Sequence, residues 1–219
     1  MQILPAVLEK DGKSFVRQIK DLSHYFQAFQ IDVSDGKLTK NKTVQIEEII
    51  DSIYKEKLNI KHLTFDFHLM VYNYKDEIEK IKKLSKLVNV GYILIHRAAN
   101  PPLDYLTSNR DFSSGLVLDV KDVVSDLPKK YDLSLIPIIQ IMTVNIGYQG
   151  TPFLTKMLEK IDELRELDYK NKIYLDGGIN NQTIPLILNR KCRPDGLGIG
   201  SFLTRSENLK KTVSYLKSL

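Results

Sequence analysis

Three ionisable residues end short apolar runs: Asp32 in FQIDVSDGK (29–37), His68 in FDFHLMV (65–71) and Asp176 in YLDGGIN (174–180). Taken singly, each has an ordinary explanation. Asp followed by Gly is common turn chemistry, and a lone histidine in an apolar run is more often a hydrogen-bonded core residue than a ligand. If the three converge, two carboxylates and an imidazole suit a divalent cation, with zinc, iron, manganese and cobalt all admissible.

The first stretch carries a further signal. Ile31 and Val33 alternate with Gln30, Asp32 and Ser34, so a strand here has one apolar face and one polar face. The polar face either meets solvent or lines a site. Glycines add an independent clue, because DGGIN (176–180) and GIGS (198–201) both follow apolar runs near the end of the chain. Glycine permits close backbone approach and unusual dihedrals, so such turns can hold an anion among backbone N–H groups.

Eight β-rich runs are available to position these residues: 2–7, 28–33, 62–70, 92–96, 115–120, 136–144, 172–177 and 196–200. Helical stripes lie between them. Ile46, Ile49, Ile50 and Ile53 form one, and Ile78, Ile81, Leu84 and Leu87 another. In TPFLTKMLEKIDELREL the spacing of Leu154, Leu158, Ile161 and Leu164 predicts a helix with Thr151 as N-cap and Pro152 at its first position. The crossover KDVVSDLPKKYD is short and weakly helical. Strands alternating with helices imply a parallel α/β sheet. Eight such units in one domain over 1–219 suggest a closed (β/α)8 barrel, with an open doubly wound sheet as the competitor. In a barrel the polar face of 28–33 points inward near the C-terminal rim, where active sites lie. Strands two and seven are three steps apart around the ring, which sets Asp32 and Asp176 across the pocket from each other. Such a pair can work on opposite faces of one carbon. The glycine turns then follow strands seven and eight, where barrels often bind phosphate.

Composition narrows the function classes. Thirty-two Lys and Arg against 27 Asp and Glu give a net charge of +5, spread along the helical stretches without a concentrated stripe, so a nucleic-acid footprint is not expected. Cys192 is the only cysteine, which excludes an intrachain disulfide. MQILPAVLEKDGK carries no basic leader, and no apolar run approaches the ~20 residues that span a bilayer. A cytoplasmic protein is the expectation.

The ordered motifs ILPAVL, IDVSDG, FHLMV, MTVNIGYQGTPF, LDGGIN and GIGS resemble those of the ribulose-phosphate 3-epimerase family over nearly the whole chain. The resemblance implies a ribulose-phosphate-binding barrel that epimerises C3 of a ketose 5-phosphate with one divalent metal ion. It implies Asp32 and Asp176 as acid–base groups and metal ligands, and His68 as a third ligand. Met70 and Met142 match residues that shield the intermediate from water, and Gly147, Gly177, Gly178, Gly200 and Ser201 match the phosphate site. The expected partner is a small sugar phosphate, without nucleic acid or membrane, and the expected assembly is a homo-oligomer. This chain also departs from the family. Gln30 replaces a metal-binding histidine and is at best a weak ligand candidate. In the pocket Ala6 replaces a serine and Ser34 a methionine, NIGYQGT differs from NPGFGGQ, and LDVKD lacks the usual asparagine–proline. These changes keep two other readings open: an epimerase of another ketose phosphate such as a hexulose 6-phosphate, and a non-catalytic phosphosugar-binding barrel.

Overall fold

The computed structural model describes residues 1–107, 112–146 and 151–219. The alternating runs form eight strands: β1 (Gln2–Val7), β2 (Ala28–Ser34), β3 (Thr64–Met70), β4 (Asn89–His96), β5 (Ser113–Leu118), β6 (Ile138–Met142), β7 (Lys172–Asp176) and β8 (Gly196–Ile199). Every strand pairs in parallel with the next, and β8 pairs with β1, so the sheet is a closed (β/α)8 barrel and not an open doubly wound sheet.

Period-two alternation divides the side chains between two apolar compartments. Phe29, Ile31, Val33, Phe65, Phe67, Leu69, Ile139, Ile141, Ile173 and Leu175 face outward into the layer under the helices. Leu4, Leu94, Val117, Ile138, Met142 and Tyr174 face inward and fill the barrel. The helices contribute their predicted stripes to the outer layer: Ile46, Ile49 and Ile53 from α2 (Ile46–Lys55), and Ile78, Ile81 and Leu84 from α3 (Tyr74–Leu84). Leu87 lies past the end of α3 but packs against the same layer. α1 (Gly12–Ser23) begins where the Asp11 carboxylate accepts from the Ser14 N–H at 2.8 Å, satisfying one otherwise unpaired donor of the first turn.

Two sequence expectations are corrected. After β4, the short α4 (Leu103–Thr107) leads to β5, and the weakly helical fifth crossover forms two 3-10 turns, Val124–Lys129 and Leu133–Leu135. Pro128 inside the first removes a backbone donor. The helix predicted to start at Thr151 and Pro152 instead begins as a 3-10 turn, Thr155–Leu158, and becomes α5 only over Glu159–Glu166. The cause is tertiary. The Leu154 N–H donates to the Thr143 carbonyl at 2.7 Å, holding this part of the segment extended against the end of β6. The same tether belongs to the region where β6 ends at Met142, short of the predicted 144. The remaining helices are α6 (Ile184–Leu188), α7 (Ser201–Thr204) and α8 (Leu209–Lys217). Among the described residues no helix is long and apolar enough to cross a membrane.

The inner compartment is tightly filled at its lower end. A β-carbon at Gly115 would lie 2.3 Å from Ile138 Cγ2 and 2.7 Å from the Ile138 carbonyl oxygen, which is backbone and cannot move aside. Gly115→Ala is therefore expected to destabilise the barrel by ~1–3 kcal/mol through overpacking. Urea denaturation should show a lower midpoint at an unchanged slope.

Candidate active site

The registers of neighbouring strands bring the three ionisable residues to one level. On one wall Asp32 of β2 pairs with His68 of β3. On the other Met142 of β6 pairs with Asp176 of β7, which pairs with Gly198 of β8. The side chains meet inside the barrel, and one ligand atom from each of Asp32, His68 and Asp176 lies within 4.8 Å of the others. The two aspartates thus come from opposite walls, as the ring geometry predicts, and share one imidazole. His68 Nδ1 stands 3.1 Å from Asp32 Oδ1 and 3.3 Å from Asp176 Oδ2.

Gln30 completes this cluster. It is fully buried, and its Nε2 donates to Asp32 Oδ1 at 2.9 Å and to Asp176 Oδ2 at 2.8 Å, with His68 Nδ1 at 3.5 Å. Its Oε1 is buried without a partner. The amide nitrogen faces the carboxylates, because an N–H2 group is attracted to two anionic oxygens that would repel a carbonyl.

Electrostatics follow from this packing. Burial alone would lower the His68 pKa, but hydrogen bonds to Asp176 and Asp32, and their charges, outweigh it and raise the imidazole to about 9. Burial raises the Asp32 carboxyl above its ordinary range, opposed by its hydrogen bond from His68. His96 at the end of β4 stacks on His68 with ring centroids 4.9 Å apart, and the two Nε2 atoms are 2.8 Å apart. Burial and the neighbouring His68 charge push His96 well below the usual imidazole range, so neutral His96 accepts from His68 Nε2–H.

The donor atoms fit a metal ion. His68 Nδ1 lies 3.1 Å from Asp32 Oδ1 and 3.3 Å from Asp176 Oδ2, and one ligand atom from each of the three residues falls within 4.8 Å of the others. Tetrahedral ligands at ~2.0 Å from an ion stand ~3.3 Å from one another. The orphaned Gln30 Oε1 supplies an oxygen for the fourth position if the amide turns.

Above the cluster opens a cavity of about 550 Å³, counting its mouth, whose walls include Ala6, Met70, Met142, Gly177, Gly178, Gly200 and Ser201 beside the three ionisable residues. Asp176 thus lines the same space as the two glycine turns. Gly177 and Gly178 have φ of +110° and +66°, which L side chains rarely adopt, so the turn after β7 requires glycine. Ser34 departs from expectation. Although buried on β2, it is not part of the cavity wall, and its hydroxyl is engaged by Thr39 Oγ1 at 2.8 Å and the Asn41 carbonyl at 2.6 Å. The polar loop after β2 competes for it and wins. Gly147 lies outside the described residues.

Two residues escaped the sequence reading. His96 ends YILIH as His68 nearly ends its own run, and that parallel was a usable signal. Gln140, in IPIIQIMTV, is a buried polar residue two positions before Met142; its Nε2 is 3.3 Å from Asp176 Oδ2.

This fold and centre define a (β/α)8 enzyme barrel with two carboxylates and an imidazole at its C-terminal rim. Solved structures support the fold: 3-hexulose-6-phosphate synthase from Salmonella typhimurium superposes with a TM-score of 0.66 at 11% identity over 100% of this chain and 97% of that one. Thiamine phosphate pyrophosphorylase from Pyrococcus furiosus gives 0.61 at 14% identity over 99% and 94%. The model of the ribulose-phosphate 3 epimerase family matches residues 2–195, and the chain belongs to that family. Among its relatives, ribulose-phosphate 3-epimerase from Bacillus subtilis is 26% identical over 99% of this chain and 98% of its own length. The protein of that name from Buchnera aphidicola is 31% identical over 96% and 90%. The chain is an isomerase of the epimerase type.

The His68–His96 contact yields a test. His96→Leu removes the acceptor that orients His68, and such outer partners typically carry ~10–100-fold of metal affinity or activity. Calorimetric titration of zinc into the chelated protein should show a loss of that size, while circular dichroism reports an intact barrel.

Proposed function

We propose that the protein interconverts ribulose 5-phosphate and xylulose 5-phosphate, inverting C3 by proton transfer between two carboxylates with the help of a divalent metal ion. The observation that carries this reading is the pairing of Asp32 and Asp176 from opposite walls around one imidazole, in a cavity that the glycine turns after β7 and β8 also line. One carboxylate takes the C3 proton, the C–H electron pair moves into the C2–C3 bond, and the C2 carbonyl oxygen becomes anionic. The other group, present as the carboxylic acid, then delivers its proton to C3 from the opposite face, restoring the ketone with inverted configuration and leaving the two groups with their protonation states exchanged. Asp32, His68 and Asp176 would hold the ion, with Gln30 as a fourth candidate. When bound, the ion offsets negative charge developing on the substrate oxygens.

The remaining residues have supporting roles. Met70 and Met142, each nearly buried in the cavity wall, exclude water from the carbanionic centre and so keep the surrounding charges effective. Until an ion takes Nδ1, His68 holds both carboxylates in place through it. Gly177, Gly178, Gly200 and Ser201 bring backbone close to the phosphate, which accepts from N–H groups there. Ala6 presents only a methyl group beside Gln30, with which it is in register, and leaves room for the sugar.

Incubation with D-ribulose 5-phosphate in deuterated water tests the reaction directly. Deuterium is expected at C3 of both pentuloses; a substrate that retains its C3 proton overturns the proposal. Asp176→Asn should preserve the fold and lower turnover by at least ~10²-fold, the usual scale for one positioned proton-transfer group. Gly200→Leu should raise KM for the phosphorylated sugar more than it lowers kcat, and inorganic sulfate should compete with substrate in the parent protein.

A further inference from the structure

Gln30 holds a position that a cation would contest. Its Nε2 bridges Asp32 Oδ1 and Asp176 Oδ2 at 2.9 and 2.8 Å, whereas its Oε1 is buried and accepts nothing. An unpartnered buried carbonyl is uncommon, since such groups lose their hydration without replacement. The opposite orientation would be worse for as long as the carboxylates face only the amide, because Oε1 would then point at two negative oxygens. A divalent ion among the same atoms reverses that preference: it repels N–H2 and attracts the carbonyl oxygen.

Space for the turn exists. The Gln30 amide lies against Gly198, where a β-carbon would come within 3.2 Å of Oε1 and 3.1 Å of Asp176 Oδ1. The glycine leaves that flank open, and the second oxygen of Asp176 stands on the same side. A turned amide directs N–H2 to this flank and Oε1 to the centre, exchanging one orphaned atom for one ligand. Gln140 Nε2, 3.3 Å from Asp176 Oδ2, continues to hold that carboxylate after the Gln30 donor has left.

We propose that the Gln30 amide turns over when a divalent ion enters, producing a centre with one imidazole nitrogen and three oxygens that discriminates less between zinc and manganese than a two-imidazole centre. This rests on the reading of the cluster as a metal site. The chemistry is that of donor hardness: imidazole suits zinc and iron, whereas carbonyl and carboxylate oxygens suit manganese, so exchanging a nitrogen for an oxygen narrows zinc's advantage. The neutral amide is also bound to both carboxylates before the ion arrives, so the ion must displace two hydrogen bonds as well as solvent.

The whole chelated protein, its Gln30→His variant and its Gln30→Glu variant are titrated separately with zinc and with manganese by calorimetry. Gln30→His is expected to raise the zinc-to-manganese affinity ratio by ~10-fold or more, on the scale by which metal-site partners alter affinity. Gln30→Glu keeps an oxygen donor and should leave the ratio within a few-fold of the parent. In parallel, the side-chain N–H2 resonance that is missing from Gln30→Glu is followed by 15N–1H NMR as zinc is added to the parent; it should move upfield as its two carboxylate bonds are lost. A zinc-bound protein in which that resonance stays in place, or a Gln30→His protein with an unchanged ratio, overturns the turnover of the amide while the metal reading stands. If neither ion binds the parent protein, both the inference and the metal reading fall. If Gln30→His does not fold, the NMR titration and Gln30→Glu still decide.

Discussion

Two carboxylates held within 4.8 Å inside an enclosed barrel repel each other strongly, because little solvent is present to screen them. Their compensation organises the rest of the centre. His68 lies between them and is held protonated by them, Gln30 gives one N–H to each, and Gln140 adds a longer bond to Asp176. Only Gln30 is local, two residues before Asp32; the other contacts join residues far apart in sequence. Asp32 and Asp176 are joined through residues on β2, β3 and β6, so the arrangement exists only when the sheet has closed.

Closure also explains how such polarity survives beside a large apolar core. The strands place Phe29, Ile31 and Val33 on the outer wall and Gln30 and Asp32 on the inner one, so one short segment serves two environments. Below the site the inner wall becomes apolar, with Leu94, Val117, Ile138 and Tyr174 filling the barrel and denying water a route from beneath. Above it, Met70, Met142 and the positive-φ glycines after β7 line the cleft. The result is a cavity whose buried ionisable cluster is backed by an apolar barrel interior.

The departures from the family pattern fall into two kinds. Ser34 is absorbed by the loop after β2, where Thr39 and the Asn41 carbonyl satisfy its hydroxyl, so it is structural. Gln30 cannot be absorbed in that way, because its Nε2 is fully engaged with the two aspartates while its oxygen has no partner. A neutral amide in this place keeps the two carboxylates compensated.

Much of the molecule was legible in the sequence, because its information is local and periodic. Alternation in FQIDVSDGK separates an inner from an outer face whatever the strand pairs with, and the isoleucine stripes of α2 and α3 follow from helical spacing alone. The order of eight such units implies the barrel, and the motifs place Asp32, His68 and Asp176 at strand ends. Other features depended on contacts between distant segments. The start of α5 moved because Leu154 is tied to Thr143, a bond that no helix propensity anticipates. Ser34 turned to a loop that period-two reasoning does not see. His96 and Gln140 joined the site through registers across β3, β4, β6 and β7. The face that Gln30 presents was beyond the sequence altogether: residue type supplies both a donor and an acceptor, and only the convergence of two carboxylates on the same point decides that nitrogen turns inward.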